Sequence, residues 1–141
     1  MKKRLTLSCL LLSTILLISC SIQLVSPFDS RSLEQMENID KDIDRFYLIL
    51  QSLPESERTY ANVSARYIDI EVQIRSLERR QALREKNDET LTQSKTLTSL
   101  WQQDIAAHKK NNAISDFIIQ RRMDQYRRLM STLIEGEMAK Q

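Results

Sequence analysis

The sequence predicts an all-α protein: an antiparallel helical bundle of four helices, with three as the alternative, after a cleaved N-terminal signal helix. Three observations carry this expectation. Glycine occurs once and proline twice in 141 residues, too few turn-formers for a many-stranded β fold. Apolar residues recur at steps of three and four from Leu33 to Leu133, the spacing of helices with one buried face. Breaks at Pro54, Asn87-Asp88 and Asn111-Asn112 cut that pattern into four lengths with short connections.

The first element is a targeting segment. Met1-Lys2-Lys3-Arg4 gives a basic start, and Leu5 to Ile18 is an apolar run broken only by Thr and Ser. At 14 residues the run is shorter than the ~20 of a membrane-spanning helix. Leu17-Ile18-Ser19-Cys20 closes it, so residues 1–19 read as a secretory signal whose cleavage site ends in cysteine.

At these residues the chain resembles the bacterial lipoproteins. Their lipobox takes Leu three positions before the cysteine, then a small or aliphatic residue, then Gly, Ala or Ser. Leu17, Ile18 and Ser19 fit. The resemblance implies that the Cys20 thiol carries diacylglycerol, that the signal is cut before Cys20, and that the new amine is open to a further acyl chain such as palmitate. Two or three acyl chains hold a protein stably to a membrane, one only reversibly. In a Gram-negative host Ser21, where Asp would argue for inner-membrane retention, implies transport to the outer membrane, facing the periplasm. The stretch Ser21 to Asp29 is similar to that of small helical lipoproteins of proteobacteria, a likeness that implies no assigned activity.

Cleavage alters the balance of charge and thiols. The full chain has 21 basic and 19 acidic residues, net +2. Without Lys2, Lys3 and Arg4 the mature part has 18 basic against 19 acidic, net −1. Nucleic-acid binding therefore loses its electrostatic basis. Cys9 leaves with the signal and Cys20 is capped by lipid, so no intramolecular disulfide is expected.

Residues 20–28 form the lipidated cysteine and a short tether, and residues 29–141 the bundle. Asp29 is placed to cap the first helix, with Phe28 and Leu33 at the spacing of a hydrophobic staple. Its stripe is Leu33, Met36, Ile39, Ile43, Phe46, Leu50 and Leu53, and Pro54 stops it. After a polar turn from Glu55 to Arg58, a second helix from about Thr59 to Lys86 carries Tyr60, Val63, Tyr67, Ile70, Ile74 and Leu77. A third helix begins with a capping box at Thr90 and Gln93. It has the thinnest apolar side: Leu91, Leu97, Leu100, Trp101 and Ile105. The fourth carries Ile114, Phe117, Ile118, Ile119, Met123, Tyr126, Met130 and Leu133 towards Gly136. Such seams also suit an intermolecular coiled coil, so self-association stays open, but the breaks favour folding within one chain.

Few residues of the mature part suggest a chemistry. His108 is the one histidine, four residues after Asp104 and on the same helical face. One His–Asp pair falls short of a zinc site's three or four ligands and of a di-iron bundle's paired Glu-x-x-His elements. The expected role is a helix-end histidine beside Lys109 and Lys110. The lone Gly136 rules out a phosphate loop or a Gly-x-Ser-x-Gly elbow. Glu135 and Glu137 read as solvated acids, since a spacing of two turns them apart. The arginines at 75, 79, 80, 84, 121, 122, 127 and 128 are interspersed with acids and read as a solvated surface. Tyr47, Tyr60, Tyr67, Tyr126 and Trp101 read as core, with phenol oxygens reaching water at its edge.

The resulting expectation is a non-enzymatic, membrane-anchored envelope protein, without cofactor or metal, acting through protein contacts. The alternative is a module binding a small apolar or lipid ligand between the helices, in a pocket of at least ~300 Å³ lined by residues such as Phe46, Tyr67, Trp101 and Met123.

Overall fold

A computed structural model describes residues 24–141. The signal and lipobox, including Leu17, Ile18, Ser19 and Cys20, lie outside the described residues. Within them are four helices: α1 (Ser30–Ser52), α2 (Tyr60–Ala82), α3 (Asp88–Asn111) and α4 (Asp116–Met138), with a 3-10 turn at Glu55–Glu57. Each helix packs on its neighbours in sequence, and α4 returns to pack on α1. The result is an antiparallel up-down-up-down ring of four helices, which disposes of the three-helix alternative.

Local chemistry explains most of the boundaries. Asp29 caps α1, its carboxylate accepting the Arg31 N–H at 3.1 Å and the Ser32 hydroxyl at 2.7 Å. Proline at 54 ends that helix at Ser52, with Leu53 as its extended cap. The amide of Tyr60, at the start of α2, donates to the Asn112 side chain at 3.0 Å, so the α3–α4 loop caps a different helix. Asn112 itself adopts a left-handed backbone (φ 49°) and closes α3.

Two boundaries differ from expectation, both at one end of the ring. Helix α2 stops at Ala82 rather than Lys86, because Lys86 turns to φ 54° and reverses the chain. The Asn87 side chain then donates to the Gln81 carbonyl at 3.2 Å, one of the groups a helix end leaves without a partner. Helix α3 accordingly starts at Asp88, so Thr90 and Gln93 fall inside it and form no capping box. Asp88 and Glu89 in its first turn suit the positive end of the helix dipole.

The core follows the predicted stripes. Met36, Ile39, Ile43, Phe46 and Leu50 of α1 are buried, as are Val63, Tyr67, Ile70, Ile74 and Leu77 of α2. Tyr47 joins them from the position beside Phe46. On α4 the inward positions are Ile119, Tyr126, Met130 and Leu133. Phe117 (72% exposed) and Ile118 turn out to solvent, contrary to the predicted stripe, because they stand two residues and one residue off this inward line. One aromatic layer draws on every helix: Phe46 and Tyr47 from α1, Tyr67 from α2, Trp101 from α3 and Tyr126 from α4. Their ring centroids lie between 4.5 and 6.4 Å apart in the contacting pairs.

Candidate functional site

The buried face of α3 reads Thr90, Ser94, Leu97, Trp101, Asp104 and His108, with Leu100 at the edge. These positions alternate steps of four and three, so the stripe is complete but polar at both ends. The same holds elsewhere: Ser32 on α1, Gln81 on α2 and Glu137 on α4 are buried continuations of apolar stripes. The polar positions collect into two networks, one on the Asp104 side of the core and one at the opposite end of the ring.

The first network centres on Asp104. Its Oδ2 accepts the hydroxyls of Tyr47 and Tyr126, each at 2.7 Å, and its Oδ1 pairs with Arg122 Nε at 2.7 Å. Burial pushes the Asp104 carboxyl above its ordinary value, and the two phenols and Arg122 only partly offset this. Burial and the nearby Asp104 charge likewise raise the Tyr47, Tyr67 and Tyr126 phenols, so they remain protonated donors. For Tyr47, Tyr67 and Tyr126, the sequence's expectation of phenol oxygens reaching water gives way to hydroxyls bonded inside the core.

His108 stands one turn further along α3. It lies in the last turn of the helix, as the sequence predicts, and at 3% exposed it is turned into the core. Its Nε2 lies 2.8 Å from the Arg58 carbonyl and its Nδ1 3.1 Å from the Tyr67 hydroxyl. A carbonyl only accepts, so Nε2 is the donor there; with the ring proton on Nε2, Nδ1 accepts from the Tyr67 hydroxyl. Arg58 is buried too. Its guanidinium donates to the Leu53 and Gln51 carbonyls at the end of α1 and pairs with Asp116 at 2.6 Å. Asp104 and His108 share a face but hold different partners.

The second network fastens the N-terminal segment. Arg84 forks onto Glu137, Nη1 to Oε2 and Nη2 to Oε1, both at 2.9 Å. Glu137 also takes Lys140 Nζ at 2.7 Å and the Asp29 amide at 2.8 Å. It is 0% exposed, so the reading of a solvated acid near a chain end is corrected. Burial alone would raise its carboxyl, but the hydrogen bonds from Arg84, Lys140 and Asp29 hold it below the ordinary value. Ser26 joins by donating its hydroxyl to Asn87 at 2.8 Å and its amide to the Lys86 carbonyl at 2.9 Å. Arg84 also donates to the Pro27 carbonyl. The segment from Ser26 to Asp29 is thereby latched to the ends of α2 and α4.

Both networks consume their own donors and acceptors. Among the described residues no buried side-chain nitrogen or oxygen lacks a hydrogen-bond partner, and no group of three or more His, Cys, Asp or Glu is placed to hold a metal. The four residues expected to line one pocket do not come together around a void. Phe46, Tyr67 and Trp101 pack ring against ring, while Met123 borders a separate recess beside Tyr47 and Tyr126. A cleft of about 330 Å³ opens outside the first network, floored by Tyr67 and His108 and walled by Ile114, Ile118 and Arg122. Between α3 and α4, Thr92, Thr96, Ser99 and Gln103 leave a wider, open groove of about 700 Å³. No helix among the described residues is long and apolar enough to cross a membrane.

No family model, curated protein or solved structure matches the chain.

Proposed function

We propose that this chain is a lipid-anchored protein of the cell envelope, held to the membrane through acylated Cys20. It acts without catalysis, as an interaction or structural protein facing the periplasm when the host is Gram-negative. The observation that carries this reading is the succession of basic start, apolar run and Leu17-Ile18-Ser19-Cys20 in the sequence. The fold adds support of two kinds. The polar interior is satisfied within the chain, which leaves the outer surface as what the domain offers to others. The latch at Ser26–Asp29 keeps the N-terminal segment at one end of the bundle, where an anchor confines the domain near its partners and raises their effective concentration.

Cys20→Ser tests the anchor. The wild-type chain should incorporate an alkynyl palmitate analogue in growing cells and sediment with membranes. The variant should take up no analogue, and should be recovered either soluble or with its signal uncut. A correctly cleaved Cys20→Ser chain that still sediments with membranes would sink the proposal.

A further inference from the structure

We propose that the latched end of the bundle rests directly on the bilayer, with Leu24, Val25, Leu83 and Met138 entering the headgroup boundary. This deepens the lipid-anchor reading and rests on it.

Three observations converge on that end. The first is covalent reach. Ser26 is fixed to Lys86 and Asn87 by two hydrogen bonds, and six residue steps separate it from Cys20. Fully extended, those steps span about 20 Å, so an acylated Cys20 keeps this end within that distance of the membrane. The second is where the exposed apolar side chains lie. Leu83 (87% exposed) follows the last turn of α2, Met138 is the last residue of α4, and Leu24 (82% exposed) and Val25 immediately precede the latched Ser26. Isolated exposed leucines are ordinary. Here four large apolar side chains occupy the end from which the anchor departs, and α2 and α4 end there together.

The third observation is charge. Arg31, Arg79 and Lys86 stand with Glu85, Asp88 and Glu89 at this end, so neither sign prevails. A seat of this composition binds through apolar burial at the interface and needs no anionic lipid. It also has a geometric consequence. Helices of 23 residues rise about 35 Å, so a bundle seated on this end holds Phe117, Ile118 and the His108 cleft that far above the membrane. The opposite end is then the one presented to partners.

The test uses the full chain, processed in cells and reconstituted into phosphatidylcholine vesicles. Leu83→Cys, Met138→Cys and, as the distal control, Phe117→Cys are each labelled with a thiol-reactive fluorophore. All three side chains are exposed, so the core is untouched. Phospholipids brominated on their acyl chains should quench the probes at 83 and 138 at least threefold more than the probe at 117. Equal quenching at the three positions overturns the seat. The unsubstituted chain, carried through the same labelling, separates the two proposals. With Cys9 removed and Cys20 acylated it should take no label, and labelling of that chain would instead overturn the lipid anchor.

Discussion

Arg84 and Glu137 meet in a two-pronged ion pair that joins the end of α2 to the last turn of α4, two helices that lie diagonally across the ring. Adjacent helices are held by interlocking apolar stripes, whereas this diagonal is bridged by charge. The Asp29 amide and Lys140 complete the arrangement. The N-cap of α1 and the helix end of α4 are thus fixed by one carboxylate, which explains why α4 continues as helix through Gly136 to Met138.

Removing that carboxylate should be costly. Glu137→Ala strands Arg84 and Lys140 in a largely buried site and should destabilise the fold by about 3 kcal/mol in urea melts. Glu137→Leu combined with Arg84→Met should recover part of the loss, because an apolar pair is cheaper to bury than a lone charge. The sign with pH follows from the lowered carboxyl. Its contribution is complete above the ordinary value of 4.5 and disappears as pH falls through the lower folded value. Glu137→Gln should lack this acid limb. A loss below 0.5 kcal/mol for Glu137→Ala would show that the latch contributes little.

Asp104 should behave in the opposite sense. Its folded value is raised above 3.8, so the folded chain holds its proton to higher pH than the unfolded chain does. Its contribution to stability is therefore largest below 3.8 and declines as pH rises through the raised value. Urea melts of wild type and Asp104→Asn between pH 3 and 7 should show the wild-type advantage shrinking with rising pH. An advantage that grows towards neutrality would mean that Arg122 and the two phenols outweigh burial.

Four helices, their order and nearly all of their apolar core residues were legible from spacing alone, since a stripe at steps of three and four has one solution in a small bundle. The networks were not, although the same spacing contains them. Thr90, Ser94, Asp104 and His108 continue the α3 stripe through Leu97 and Trp101, and Glu137 follows Tyr126, Met130 and Leu133 in the α4 series. Polar residues in register with an apolar stripe are the signal for a buried, hydrogen-bonded layer. Reading such residues as solvent-facing by type conceals it. What spacing does not contain is who pairs with whom. Asp104 and His108 share a face, yet the facing helices give one two phenols, while the other takes a hydroxyl from α2 and a carbonyl from the α1–α2 connection.

That division of partners makes the Tyr67–His108 bond separable from the Asp104 network. Tyr67→Phe removes the donor to His108 Nδ1 and should cost about 1 kcal/mol, while His108→Leu leaves both the Tyr67 hydroxyl and the Arg58 carbonyl unpaired and should cost about 2 kcal/mol. The two losses share one hydrogen bond, so the double variant should be less destabilised than their sum by about 1 kcal/mol. Trp101 reports whether the surrounding layer survives. It is the one tryptophan, its ring is 5.2 Å from that of Tyr67, and its Nε1 donates to the Tyr67 carbonyl at 3.1 Å, a bond that Tyr67→Phe preserves. Its emission should stay blue-shifted in all three variants, and only then does the cycle measure the Tyr67–His108 bond. Losses that add within 0.3 kcal/mol, with Trp101 emission unchanged, would show that the two side chains are packed side by side without a stabilising hydrogen bond.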